Sequence, residues 1–477
     1  MAKSTGGKSS QRVKTGRGGD TRVHPAAAAP GDRFAAGKAL RAKVPREFHA
    51  GWAAPANRPD PVDIITASNV GRIQSLVPIR HARMLTSSFA FLRGTAAVMA
   101  WDLHKLPSTG LRVQACGDCH LMNFGAFATP ERNLIFDIND FDETLPAPWE
   151  WDVKRLAASV AVAALYIGLS AEVAREAARD VTFAYCRHMR KYASMPTLQV
   201  WYDRIDIDDV IAQIDSAGTQ QHVLARIKRE RQKTVTDHLY PKLVEEAGGV
   251  PRIKDNPPLI YHPGDMMADG SHEVRIPVLA SYRETLADHH RLLVDRFRLR
   301  DAAVKVVGVG SVGTSCWVAL LTASDHDPLF LQVKEANASV LAPYAGKSIY
   351  KNQGQRVVEG QRLTQAASDI LLGWTVGATK GRHYYVRQLR DMKMSAVVEA
   401  MDAAGLKTYA GVCGWALARA HARSGDAAAI SGYLGGGKVF SDAIASFAME
   451  YAKQTNLDHQ ALAKAVSTGR INAATDF

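Results

Sequence analysis

Two stretches of this chain place residues capable of chemistry at close spacing. In the first, Gly117-Asp118-Cys119-His120-Leu121-Met122-Asn123 is followed, after an intervening turn, by Asp137-Ile138-Asn139-Asp140-Phe141-Asp142-Glu143. Asp118 and Asn123 flank a tight loop after a strand, and the second cluster ends a returning strand, so oxygen donors from two strand ends converge. Magnesium suits such a set, because it takes hard oxygen ligands and keeps waters and substrate phosphates in its octahedron. A carboxylate standing slightly apart can orient a substrate hydroxyl and receive its proton. The competing reading is that Asp137, Asn139 and Asp142 only cap turns; the density of acidic side chains favours the metal. An EF-hand loop is excluded, since the sixth position of DINDFDE is Asp142, where the sharp turn requires glycine.

The second stretch is Gly308-Val309-Gly310-Ser311-Val312-Gly313. In a dinucleotide-binding loop a helix must begin at the last glycines. Here TSCWVALL follows, and its β-branched and aromatic content reads as a strand. A glycine loop between two antiparallel strands is the phosphate-covering flap of protein kinases, whose next strand supplies a lysine to the phosphates. FLQVKEA supplies Lys334, and the helix beyond it offers Glu359, in GQRVVEGQR, as the carboxylate to hold that lysine. The glycine flap lacks metal ligands and the Asp/Asn loop lacks a nucleotide cradle, so each stretch needs the other.

The elements that must position these residues can be read from the surrounding pattern. RVQACGD and NLIFDIN read as short strands joined by the turn-forming residues 128–132, a plausible hairpin. Helical patterns fill Trp151 to about Glu246, and Pro- and Gly-rich residues from Gly248 to Gly264 mark a boundary. AAVKVVGVG, TSCWVALLTAS and LFLQVKEA then read as a small antiparallel sheet, followed by a helix over about 355–372, the strand HYYVRQL, and helices to the end. The apolar run Leu156 to Ala171 is shorter than the roughly 20 residues that span a bilayer and reads as a buried helix.

The chain has 477 residues, 47% of them hydrophobic and 22% charged, which excludes a mostly disordered, collagen-like or membrane-embedded protein. Its formal charge is +12, but eleven basic residues against two acidic ones up to Arg46 supply +9 of it. That Gly-, Ser- and Lys/Arg-rich opening reads as a disordered tail, capable of weak binding to nucleic acid or another polyanion. Five cysteines, an odd number, make no disulfide framework. Cys116 and Cys119 form one CxxC with no second ligand pair at zinc spacing. With no apolar leader or cleavage site at the N-terminus, a cytoplasmic location is expected.

GDCHLMNFG, FDINDFDET, PWEWDVKRLAAS, QVKEA, RVVEGQR and LARAHARSGD together resemble the bacterial family called domain of unknown function 2252, from roughly Arg80 to the C-terminus. The resemblance implies membership of the protein-kinase-like superfamily, with a catalytic loop similar to the His-Gly-Asp-x-x-x-x-Asn of aminoglycoside and choline kinases. By it, Asp118 is the catalytic base, Asn123 a magnesium ligand, and Asp140 the metal aspartate of Asp-Phe-Gly, with Asp137 as the alternative. Asp152 would open a buried helix and brace the loop from behind. The hinge to the nucleotide falls at Gln388 to Arg390. The sequence departs from the family pattern at Cys116, in place of the loop histidine, and at Asp142, in place of the glycine of Asp-Phe-Gly.

In an ordinary kinase the glycine loop precedes the catalytic loop, whereas here it follows. The expected fold is therefore α+β, protein kinase-like and two-lobed, circularly permuted. Its parts are a disordered basic tail (1–50), a helical lobe with the catalytic and metal loops (60–250), a small β-rich nucleotide lobe (255–392) and helices completing the helical lobe (393–477). The expected reaction is ATP- and Mg2+-dependent phosphoryl transfer to an unknown hydroxyl acceptor, a small molecule or a protein. Gly308, Gly310, Gly313, Lys334, Glu359 and Gln388 would bind the nucleotide. The alternatives are a non-catalytic nucleotide-binding module, or nucleotidyl transfer from the same cleft.

Overall fold

The computed structural model describes residues 28–214, 217–232, 239–263, 278–324, 327–377, 381–389 and 392–475. It is a mixed α+β molecule built around one six-stranded antiparallel sheet and a large helical body. The sheet runs in the order Gly373–Val376, His383–Gln388, Pro328–Ala336, Cys316–Thr322, Arg298–Lys305, Ile260–Tyr261. Pro328–Ala336 is buried at every position, as a central strand covered on both faces must be. Its register sets Lys334 opposite both Cys316 and Tyr385. The glycine-rich segment joins Arg298–Lys305 to Cys316–Thr322, and no helix follows it directly.

The expected hairpin between RVQACGD and NLIFDIN is replaced by two separate pairings. Arg112–Ala115 pairs with Leu145–Pro148, and Leu134–Ile138 pairs with Phe124–Ala128, whose other edge receives Met394–Ser395. The turn at 128–132 is present but joins the latter two strands. Leu145–Pro148 (LPAP) and Phe124–Ala128 (FGAFA) carry proline, glycine and alanine, which sequence patterns count against strands.

Helix Trp149–Tyr166 is buried along nearly its whole length. It packs with Ala171–Ser194 and Lys438–Ser467, and Ala403–Ser424 lies against Ala171–Ser194. Segments before and after the sheet thus share one core, which includes Trp149, Tyr185, Leu417 and Phe447. Among the described residues, no helix is long and apolar enough to cross a membrane.

Two boundaries move. Residues 28–50 are not an unstructured tail: Pro30–Lys43 is a helix packed on Ala427–Leu434, with Gly37 so close to Ala429 that a Cβ would stand 1.9 Å from its carbonyl oxygen. Arg33 pairs with Asp426, and Arg46 donates to the Leu434 carbonyl. Residues 1–27 lie outside the described set, as do 325–326 and Arg390 of the expected hinge. The sheet side also begins before 255, because Leu243, Val244 and Ile253 pack with Val318, Leu320 and Phe330.

Candidate active site

The loop Cys116–Asn123 is fixed from behind by one helix. Asp152, in the first turn of Trp149–Tyr166, accepts the backbone N–H of Cys116 at 2.8 Å and of Gly117 at 3.1 Å. His421 approaches the same carboxylate at 3.2 Å and Tyr185 at 2.9 Å, so this histidine is a bonded core residue. Ser159, farther along the helix, accepts the N–H of Leu121. Gly117 has φ +84°, and a Cβ there would lie 2.3 Å from the Glu143 carbonyl oxygen. Only glycine lets the loop approach the second acidic cluster so closely.

Asp118 is held by Arg155, whose Nε donates to Oδ1 at 2.7 Å. Asn123 donates from Nδ2 to the Asp118 carbonyl at 2.7 Å, which leaves its Oδ1 as a hard oxygen donor. Asp140 and Asp142 follow the strand Leu134–Ile138. Lys334 Nζ lies 2.8 Å from Asp142 Oδ2 and 3.9 Å from Asp140 Oδ1. Tyr385 donates to Asp142 Oδ1 at 2.6 Å and Ser311, on the glycine loop, to Oδ2 at 3.2 Å. Burial alone would raise the Asp142 carboxyl, but Lys334 and the hydrogen bonds hold it down at about 2. Burial and the neighbouring Asp142 push Asp140 up. Burial would lower Lys334, but Asp140 and Asp142 drive it well above the usual lysine range.

These residues meet in one cavity of about 380 Å³, lined by Asp118, Asn123, Asp140, Asp142, Gly308 and Gly310 among others. Its walls come from both sides of the molecule: the Cys116–Asn123 loop from the helical body, the glycine loop from the large sheet. The glycine loop is pinned from outside that sheet. Arg83 donates to the Gly308 carbonyl, Arg72 to the Val312 carbonyl at 2.6 Å, and the N–H of Ile73 to the Gly313 carbonyl at 2.7 Å.

Four expected site residues stand elsewhere or act otherwise. Glu359 is 3.4 Å from Arg362 and lines a separate cavity of about 430 Å³ with Trp201 and Arg423. Its helix presents Arg356 and Gly360 inward instead; Arg356 donates to the carbonyls of Asp142, Thr144 and Asn337. The partner of Lys334 is therefore Asp142. Asp137 is 1% exposed, pairs with Arg419, and accepts the N–H groups of Ile138 and Ala366, so it braces the helix Ala403–Ser424 rather than offering metal oxygens. Gln388 gives its N–H to Asp369, and the next residue, Leu389, gives its own to Phe330, so neither is free for a nucleotide base. Gly313 sits at the base of the loop, φ +87°, against Arg72.

The model for uncharacterized proteins conserved in bacteria, DUF2252, matches residues 72–465, most of the chain and every element just described. The chain belongs to the DUF2252 family. No protein of curated function and no solved structure matches it. The DUF2252 match opens at Arg72, which donates to the Val312 carbonyl of the glycine loop.

Arg155 was missed in the sequence, although a signal existed. It follows Asp152 by three residues, which puts both on one face of a helix and lets them reach the same loop. Cys116, Cys119 and Asp152 have ligand atoms within 4.8 Å of one another. Burial raises both thiols, Cys119 to about 11, and the Asp152 oxygens already hold the loop amides, so this trio is a brace.

Proposed function

We propose that this DUF2252 chain is an ATP- and Mg2+-dependent phosphotransferase, a protein kinase-like catalyst in circularly permuted order. The observation that carries the reading is the convergence of Asp118, Asn123 and Asp140 with the glycine loop on one cavity, with Lys334 beside it. The donor set fits magnesium: Asn123 Oδ1 and the Asp140 carboxylate, one-third exposed at the cavity wall, are hard oxygens. When bound, the ion would neutralise phosphate charge. Asp118, fixed by Arg155, would orient the acceptor hydroxyl, and Gly308 and Gly310 would let backbone approach the phosphates. Catalysis of this kind is mostly positioning, so the many braces on the 116–123 loop support it.

A second reading, a nucleotide-binding module without turnover, is favoured by one observation: Asp142 stands where related loops have glycine and ties up Lys334. The test is a thermal shift with Mg-ATP on the wild type and Lys334→Ala, followed by incubation with ATP labelled at the α- or γ-phosphate. Stabilisation of the wild type and γ-label in a product support phosphoryl transfer. Label from the α-position would instead mark nucleotidyl transfer, and no shift in the wild type would sink the nucleotide reading.

A further inference from the structure

Two carboxylates of the cavity have their own cations: Asp118 has Arg155, and Asp142 has Lys334. The same cavity is lined by three more arginines, Arg72, Arg80 and Arg93, and among the described residues no carboxylate lies within ion-pairing distance of any of them. All three come from the segment that precedes the catalytic-type loop.

Arg72 feels Glu143, Asp142 and Glu335, and Arg93 feels Asp118 and Glu399, all beyond ion-pairing distance, while no carboxylate offsets the burial of Arg80. Arg80 is 3% exposed; its Nη atoms donate to Ser68, Asn69 and the Gly94 carbonyl, all neutral, and its Nε has no partner. Arg72 donates to the Ser68 and Val312 carbonyls. Arg93 makes no hydrogen bond through its guanidinium among the described residues; it rests over the Phe89 ring at 5.8 Å, with a buried, unpartnered Nε. Beside them, His120 is 5% exposed with Nδ1 unpartnered. Burial depresses all three guanidinium groups, Arg80 most strongly. A buried cation whose partners are all neutral is expensive to keep, and an arriving oxyanion would offset that cost through charge-assisted hydrogen bonds.

We propose that Arg72, Arg80 and Arg93 form a binding site for a phosphate-type oxyanion at the point of transfer. The Arg93 backbone lies against the glycine loop, since a Cβ on Gly310 would stand 3.4 Å from the Arg93 carbonyl oxygen. All three arginines line the same cavity as Asp118, Gly308 and Gly310. The location as a transfer point rests on the phosphotransferase reading; the anion site itself does not. The oxyanion has two sources, the terminal phosphates of the nucleotide or an anionic group on the acceptor.

Calorimetric titration of the full chain separates them, using sodium tripolyphosphate, inorganic phosphate, Mg-ATP and adenosine on the wild type and Arg93→Gln. Arg93 is the decisive position because its guanidinium makes no hydrogen bond among the described residues, so the melting temperature of the variant should be no lower than that of the wild type. Arg80→Gln is the second variant, interpreted only if its melting curve remains cooperative. Tripolyphosphate is expected to bind the wild type and to weaken roughly tenfold in Arg93→Gln, as for loss of one charge-assisted contact. If Mg-ATP weakens equally while adenosine does not, the anion is the nucleotide tail. If Mg-ATP is unaffected, but inorganic phosphate binds the Mg-ATP-saturated wild type and not the variant, the anion belongs to the acceptor. Tripolyphosphate and phosphate that bind both proteins alike, or neither, overturn the site. Failure of Mg-ATP to bind while tripolyphosphate binds in an Arg93-dependent way sinks the nucleotide reading and leaves the anion site standing.

Discussion

Lys334 is bonded to Asp142 at 2.8 Å, and not to the helix carboxylate Glu359. Asp142 is 27% exposed at its side chain and Lys334 only 3%, so the lysine is the member that depends on the pair. Asp142→Gly is expected to release Lys334 toward the cavity and tighten Mg-ATP severalfold, at the cost of a lower melting temperature without nucleotide. The pH dependence has a definite sign. Asp142 titrates below the ordinary aspartate value, at about 2, so its stabilisation is fully present above about pH 4 and is lost as pH falls through 2. Acid unfolding of Asp142→Gly between pH 4 and 2 should therefore be shallower than that of the wild type.

Glu359→Ala is expected to change Mg-ATP affinity by less than about threefold, within the range of substitutions that touch no ligand. A loss as large as that of Lys334→Ala would restore Glu359 as the lysine's partner and contradict the geometry. Titrations of the two variants side by side decide it.

The difference between those two residues shows what the sequence could and could not reveal. Lys334, the glycine loop, Asp118 and Asn123 were legible because each is tied to a local backbone feature: a strand end, a turn or a tight loop. Glu359 was misplaced because helix phase is set by what the helix packs on, and Gly360 against Thr144 rotates Arg356 inward. Asp137 was misread because a strand end can face either way, and here it meets Arg419 from a helix nearly three hundred residues later. The arginines of the 72–93 segment carry no local signature, since their meaning comes only from the loop they touch.

Arg155→Met should separate binding from transfer. The arginine touches Asp118 and the Leu92 carbonyl but no glycine-loop residue. Mg-ATP affinity should stay within about threefold, while transfer should fall by roughly a hundredfold, the size of effect expected when a reacting group is displaced by about an ångström. Initial rates with γ-labelled ATP alongside calorimetry test this. Equal losses in both would mean that Arg155 supports the whole cavity rather than Asp118.

Asp152→Ala removes a buried carboxylate that accepts two loop amides and contacts His421. Leaving those donors unanswered should cost about 3–5 kcal/mol, in the range for breaking a buried charged network. Denaturant unfolding should show it as a lower midpoint, and Asp152→Asn, which keeps one acceptor oxygen, should fall between. A variant as stable as the wild type would remove Asp152 from the bracing role.

The basic N-terminal region divides into two functions at the helix Pro30–Lys43. Its mean apolar character is too low for a hydrophobic pattern to reveal it, and it docks instead by close approach of small residues, Gly37 on Ala429 and Gly432 on Phe34. Two of its basic residues and one just beyond its end are consumed in that docking: Arg33 on Asp426, Arg41 on the carbonyls of Gly432 and Tyr433, and Arg46 on the Leu434 carbonyl. A chain beginning at Glu47 loses all of these contacts and uncovers Ala427–Leu434, whereas one beginning at Ala28 keeps them. The first should melt several degrees below the second. Affinity for a polyanion such as heparin should drop with removal of residues 1–27, which hold six lysines and arginines and one aspartate, and change little on the further cut to Glu47. A drop confined to the second cut would instead assign polyanion binding to the docked helix.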